Sequence, residues 1–172
     1  MVIKTEDFTF LNAAAYKVAP KLLGCLLERE VDGKIIRARI VETEAYDQTD
    51  AASHSYKGKT PRTDVMFGPA GYLYVYFTYG MHYCCNVVVG EEGEGAAVLI
   101  RALEPVDGEE IMANNRHKTG IQISNGPAKL CQALLIDKKL NGHNLTSSPL
   151  KLIVQKLPWR FYIAGNPYVS VK

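Results

Sequence analysis

An α+β fold, with a mostly antiparallel sheet and helices at its flanks, follows from three features of the sequence. Strand-like runs come in adjacent pairs joined by tight turns: CLLEREV and KIIRARIVETEAY across Asp32-Gly33, then two runs within 71–90 across Tyr79-Gly80. Helical patterns lie at the flanks of those pairs. The 172 residues are 47% hydrophobic and 22% charged, which suits one domain with a substantial core.

The elements follow in order. Residues 8–23 read as helical, interrupted at Pro20. The first hairpin comes next. Residues 47–70, rich in Asp, Gly, Lys, Thr and Pro, form a long loop with one short helix. A loop of that length in a compact domain is usually functional. The second hairpin covers 71–90. GAAVLIRALEP (95–105) is a further strand, ended by Pro105, and residues 107–116 form a short helix. SNGPAKLCQALLI (124–136) is a helix with Pro127 suited to its first turn. RFYIAGNPYVSV at the end supplies one or two last strands.

Composition excludes several classes. No apolar run reaches membrane-spanning length, and the first residues lack a charged-then-apolar signal pattern, so a cytosolic protein is expected. Cys25, Cys84, Cys85 and Cys131 contain no C-x-x-C pair, which argues for buried free thiols rather than zinc or a disulfide framework. The net charge of +2 permits a polyanionic partner without demanding one. Lys57, Lys59 and Arg62 cluster in the long loop; Lys129, Lys138 and Lys139 recur near the last helix.

The chemistry concentrates in VETEAY, residues 41–46. Strand side chains alternate between faces. Arg37 and Arg39 mark the odd positions as outer, and the even set Ile36, Ala38, Ile40 continues onto Glu42, Glu44 and Tyr46. With the register kept, at least one carboxylate points inward at the end of the core; a bulge beside the site would break that register. An inward carboxylate needs a partner. Arg101 interrupts the apolar run AAVLIRAL and is the conspicuous one. Periodicity leaves both a structural ion pair and a catalytic acid open. Tyr72, Tyr74 and Tyr76 share one strand face, more often a packing edge than a base platform. Tyr79 stands at a turn, where an aromatic could enter a base stack as a wedge.

Taken in order, VETEAY, ASHS with TPRT downstream, LYVYFTYGMHYCCN, VLIRALEP and NGPAKLCQAL resemble the alkyladenine (3-methyladenine) DNA glycosylase family, of the mammalian alkyladenine glycosylase type. The match runs from about the first helix to the last strand. The resemblance implies a single domain over 1–172, with a curved, mostly antiparallel sheet, flanking helices and a protruding β-hairpin that enters the minor groove. It implies a monofunctional enzyme that flips alkylated or deaminated purines from duplex DNA and hydrolyses the N-glycosidic bond. Family substrates include 3-methyladenine, 7-methylguanine, hypoxanthine and ethenoadenine. No metal or organic cofactor, a monomeric state and a cytoplasmic place, with the nucleoid in a bacterium, go with it.

Matched position by position, Glu44 is the general base and Arg101 helps hold the attacking water. Tyr46, His54 and Tyr76 contact the flipped base, and Asn86 disfavours the 2-amino group of guanine. Tyr79 is the intercalating wedge with Met81 beside it. Thr60, Arg62 and Lys129 are candidates for phosphate contacts, Lys129 near a helix N-terminus. The chain departs from the family in two places. His82 follows Met81 where better-known members have tyrosine. LKLIVQK runs straight to LPWRFY, without the usual Arg-(Ile/Val)-Gly segment whose backbone carbonyl helps hold the water. Either a stretch is missing from the chain or the third water ligand differs. No lysine stands beside Glu44 or on the tyrosine strand, so water is the expected nucleophile. Glu42 is expected to be structural. The alternative is a non-catalytic nucleic-acid-binding module that stacks bases on the same aromatics, but it leaves Glu44 and Arg101 unexplained.

Overall fold

The computed structural model describes residues 8–155 and 165–168. The expected strands in 160–171, and the junction where LKLIVQK meets LPWRFY, lie mostly outside them. Six strands form one sheet in the order β3-β4-β5-β2-β1-β6, and every neighbouring pair is antiparallel. They are β1 (Leu26–Val31), β2 (Lys34–Tyr46), β3 (Leu73–Thr78), β4 (His82–Val88), β5 (Ala97–Asp107) and β6 (Leu150–Ile153). Three α-helices accompany them: α1 (Ala15–Leu22), α2 (Glu109–Arg116) and α3 (Pro127–Ala133). The fold is α+β, as expected, and the sheet is curled.

Local chemistry accounts for most boundaries. Asp32 and Gly33 turn β1 into β2 with φ of 49° and 73°, left-handed values that a tight hairpin needs. Tyr79 and Gly80 do the same between β3 and β4, with φ of 51° and 67°. Pro127 opens α3 as its first residue.

Four details differ from the sequence reading. Pro20 lies inside α1 rather than breaking it. It forgoes only one helical bond, to the carbonyl of Tyr16, a residue on the exposed side. Pro105 does not end β5. The strand continues to Asp107, with Pro105 paired to Ala38 beside a register shift, the kind of place where a strand accepts proline. α3 is shorter than 124–136. Ser124 is held to β5 by bonds between its Oγ and the Leu103 carbonyl (2.7 Å) and between the Leu103 N–H and its own carbonyl (3.1 Å), so the helix begins at Pro127. β6 went unread, because LKLI is too short for periodicity to declare it.

The core lies on one face of the sheet. Ile36, Ala38, Ile40, Leu73, Val75, Cys85, Val87, Val98 and Ile100 point from the strands, and Val18, Leu22, Met112 and Leu130 from the three helices. Burial of each large apolar side chain contributes about 1.5–3 kcal/mol, which is why all three helices crowd this face. All four cysteines are buried, as expected, and Cys84, Cys85 and Cys131 are free thiols.

The opposite face is where VETEAY ends up. Ile40 pairs with Leu103 but Glu42 pairs with Ala102, so Val41 is an extra residue in β2. Thr43 then pairs with Ile100, so Arg101 is an extra residue in β5. Ile40 and Val41 are both fully buried, a pair that regular alternation forbids. Past this double bulge Thr43 bonds the Ala19 carbonyl of α1 at 3.0 Å and Ala45 packs on the core. The expectation that Glu42, Glu44 and Tyr46 continue the core face is therefore corrected. The one-residue insertion flips the parity, and a flipped parity sends all three to the second face.

Candidate active site

Registers on the second face place the site. Glu44 pairs with Leu99, Leu99 with Asn86, and Asn86 with Tyr74, so one row of side chains crosses four strands. The next row runs from Tyr46 through Ala97 to Val88. The long loop 47–70 returns over these rows. Its Met66 and Phe67 pack with Tyr74, Val88 and Ala97 in a second, smaller apolar cluster. Ser55 anchors the loop to the Gly95 carbonyl at 2.5 Å. A methyl group at Gly95 would lie 2.5 Å from Ser55 Cβ and 2.7 Å from Phe67, so only glycine permits the approach.

A pocket opens between loop and sheet, lined by Tyr46, His54, Tyr74, Tyr76 and Asn86, with Ser53 and Met66. The imidazole of His54 meets the Tyr76 ring edge-on, centroids 4.5 Å apart. Its Nδ1 is 3.1 Å from Tyr74 Oη. Asn86 is only 4% exposed and donates its side-chain amide to the Tyr74 carbonyl at 3.2 Å. Burial, with the nearby Arg62 cation, pushes His54 below the usual histidine range. Burial raises the Tyr74 phenol. It raises Tyr76 too, with Cys84 adding to the effect.

Beside the pocket, Arg101 bridges the two acids. Its Nε donates to Glu42 Oε1 at 3.1 Å and its Nη1 to Glu44 Oε2. Tyr46 Oη donates to the other Glu44 oxygen, Oε1, at 2.8 Å. Burial works against the Arg101 charge, but Glu44 and Glu42 more than offset it, and the guanidinium is held above its ordinary range. The side chains stay within reach of solvent: 39% exposed for Glu44, 31% for Arg101 and 20% for Glu42. A buried structural ion pair would be closed off. This one lies beside the pocket that Tyr46 lines, with the Glu44 carboxylate open to solvent.

The structure thus gathers Glu44, Arg101, Tyr46, His54, Tyr76 and Asn86 at one place. Tyr79, Met81 and His82 stand apart from it, exposed at the tip of the β3–β4 hairpin, with Tyr79 89% and Met81 69% exposed. Thr60 and Arg62 lie in the long loop, and the Arg62 guanidinium carbon sits 5.9 Å from the centre of the Tyr76 ring. Lys129 is not drawn to the pocket. It bonds Asn125 at 2.7 Å, and its helix α3 packs on the core face of the sheet. Glu42 pairs with Arg101, as its structural reading requires. Tyr74 was legible as part of the tyrosine stripe but not as a pocket wall. Ser53 and Met66 carry no periodic signal and only the loop's path brings them in. Among the described residues no group of three His, Cys, Asp or Glu side chains could hold a metal ion. No helix among them is long and apolar enough to cross a membrane.

A carboxylate and an arginine beside an aromatic slot suit hydrolysis of a bond to a planar base. Comparison with known proteins gives the same class. Residues 9–157 match the family described as methylpurine-DNA glycosylase. A protein of Carboxydothermus hydrogenoformans is 50% identical over 177 residues, covering 90% of this chain and 93% of its own. One of Desulfitobacterium hafniense is 46% identical over 196 residues, covering 95% and 97%. One of Methanoculleus marisnigri is 46% identical over 190 residues, covering 96% and 98%. All three carry the name "Putative 3-methyladenine DNA glycosylase". The protein is a DNA-repair hydrolase of N-glycosyl bonds. The chain belongs to the methylpurine-DNA glycosylase family.

Proposed function

We propose that this protein, as one domain acting alone, flips an alkylated or deaminated purine out of duplex DNA and hydrolyses its N-glycosidic bond with water activated by Glu44. The substrate class is that of 3-methyladenine, 7-methylguanine, hypoxanthine and ethenoadenine. The observation that carries the reading is the Glu44 carboxylate, held by Arg101 and Tyr46 at the open side of the aromatic pocket.

Extruding a nucleotide costs a few kcal/mol in stacking and pairing, less at a damaged pair. Tyr79 at the hairpin tip suits the vacated space, being the most exposed large apolar side chain among the described residues. Stacking of the base on Tyr46, His54 and Tyr76 returns about 1–3 kcal/mol. A cationic alkylated purine gains a cation–π contribution that normal purines lack. A depressed His54 adds no opposing charge. Asn86, rigid and buried, suits exclusion of the guanine 2-amino group. As the bond from C1′ to the base nitrogen breaks, positive charge develops on the sugar, as in glycoside hydrolysis. Glu44 faces that charge and takes a proton from the water whose oxygen joins C1′. Arg101 orients the water. The products are an abasic site carrying the water oxygen at C1′ and a free base, which leaves with the electron pair of the broken bond and, where it was neutral, takes up a proton; no lyase step is involved. Arg62 and Thr60, both in the long loop, are the proposed contacts to the phosphate backbone.

The test is a duplex with one hypoxanthine or ethenoadenine, followed by alkali to cleave abasic sites. The wild type should give strand breaks. Glu44→Gln should give none while still binding the lesion duplex. Binding without breaks in the wild type, across several lesions, would assign a base-stacking module instead. Near wild-type turnover in Glu44→Gln would remove the general base.

A further inference from the structure

Tyr46 offers two parts of one side chain to two different neighbours. Its ring lines the pocket. Its hydroxyl lies 2.8 Å from Glu44 Oε1, two residues back on the same strand face. Arg101 Nη1 holds the remaining oxygen, Oε2. The carboxylate is therefore gripped at both oxygens by donors from different strands, β2 and β5. It cannot turn about its last torsion without giving up one bond. Carboxylate torsions of this kind are otherwise broad and soft.

The hydroxyl is a dependable donor. Burial, then the hydrogen bond to and charge of Glu44, push the Tyr46 phenol up to about 12. It keeps its proton at neutral pH, and a carboxylate can only accept. A tyrosine side chain has two rotatable bonds, so the ring and the hydroxyl move as one rigid body.

We propose that Tyr46 is a positioning residue for Glu44: through its hydroxyl, the ring that receives the flipped base also aims the carboxylate that activates water. The inference rests on the glycosylase reading and deepens it. Seating a purine on the Tyr46 ring restrains the side chain about its Cα–Cβ bond, that torsion sets Oη, and Oη fixes the free lone pairs of Glu44. Recognition and activation are joined in one side chain. A base that fails to pack on the ring leaves Glu44 less well aimed, so discrimination acts on the chemical step as well as on binding.

The experiment separates ring from hydroxyl. Tyr46→Phe keeps the ring and removes Oη; Tyr46→Leu removes both. Single-turnover excision of hypoxanthine from a duplex, and affinity for the same duplex, are measured for each. Misplacement of a reacting group costs about 10- to 100-fold. Tyr46→Phe should lose that much in rate while its affinity stays within about twofold, a change near the lower limit of meaning. Tyr46→Leu should lose both. An unchanged rate in Tyr46→Phe overturns the proposal. So does a loss of affinity matching the loss of rate, because the hydroxyl would then act on the substrate. A second measurement needs no activity. The Tyr46 ring-carbon resonance of 13C-labelled protein should resist titration past the ordinary tyrosine value of about 10. It should titrate earlier in Glu44→Gln. Identical titration in both proteins overturns the hydroxyl–carboxylate link. A wild type that excises no lesion, with the titration shift present, removes the glycosylase reading and keeps the clamp.

Discussion

His54 packs edge-on to Tyr76, bonds Tyr74 Oη and sits near the Arg62 cation. Burial first, and Arg62 second, disfavour its charged form. The consequence for pH has a definite sign. The folded value lies below the unfolded one, about 6.5, so the unfolded chain binds the proton more readily. The contribution of His54 to stability is complete above that value and is lost as pH falls through the lower folded one. Wild type should therefore lose melting temperature on acidification from about pH 7 to 5 more steeply than His54→Asn. Parallel curves would show that the histidine titrates normally. At this scale the sequence was informative about pairs. A guanidinium inside AAVLIRAL and acids inside VETEAY had to explain one another, and Arg101 does bond both Glu42 and Glu44. The Tyr46 hydroxyl was not legible, because a spacing of two says which face a side chain shares and not how far it leans back.

The elements show why the site is where it is. Extra residues at Val41 in β2 and Arg101 in β5 flank the Glu42–Ala102 pair, and together they turn the parity of both strands. Val98 and Ile100 face the core before the bulge, Leu103 after it. The insertion lets one strand serve the core with Ile36, Ala38 and Ile40 and, on the other face, the pocket with Tyr46 and the acid pair beside it with Glu42 and Glu44. The loop 47–70 closes the pocket only because Gly95 admits Ser55 and Phe67. Gly95→Ala should push that loop outward, at a cost of about 1–3 kcal/mol for overpacking. Chemical denaturation should show a lower midpoint with an unchanged slope, and lesion affinity should fall with it. A variant as stable and as tight as wild type would mean the loop yields freely. The hairpins were readable, since Asp-Gly and Tyr-Gly turns are local chemistry. The bulge was foreseeable only as a possibility, because one inserted residue leaves no mark in composition.

Across the whole molecule, stability and chemistry occupy opposite faces of one sheet. The helices and the large apolar cluster cover the first face; the acids, tyrosines and long loop hold the second. Mutations in the pocket can thus alter activity with little effect on the main core. The net charge of +2 is small, so attraction to DNA has to come from local cations. Arg62, at the pocket and exposed, is the best placed. Arg62→Ala should reduce the slope of log affinity against log salt by about one, as loss of one phosphate contact does. Lys129→Ala, on the core-face helix, should leave the slope unchanged. Equal slopes for Arg62→Ala and wild type would move the phosphate contact elsewhere.

The sequence by itself determined the α+β class, both hairpins and the family, because turn chemistry, alternation and ordered motifs are local or nearly so. It determined which residue types had to meet, since a lone acid or arginine in a strand is costly without a partner. Only the tertiary structure decided on which face they meet. Strand parity has a period of two, and a single extra residue reverses it. It also decided that Tyr74, Ser53 and Met66 join the pocket, because the path of a long loop is set by burial of the whole core, not by any stretch of neighbouring residues.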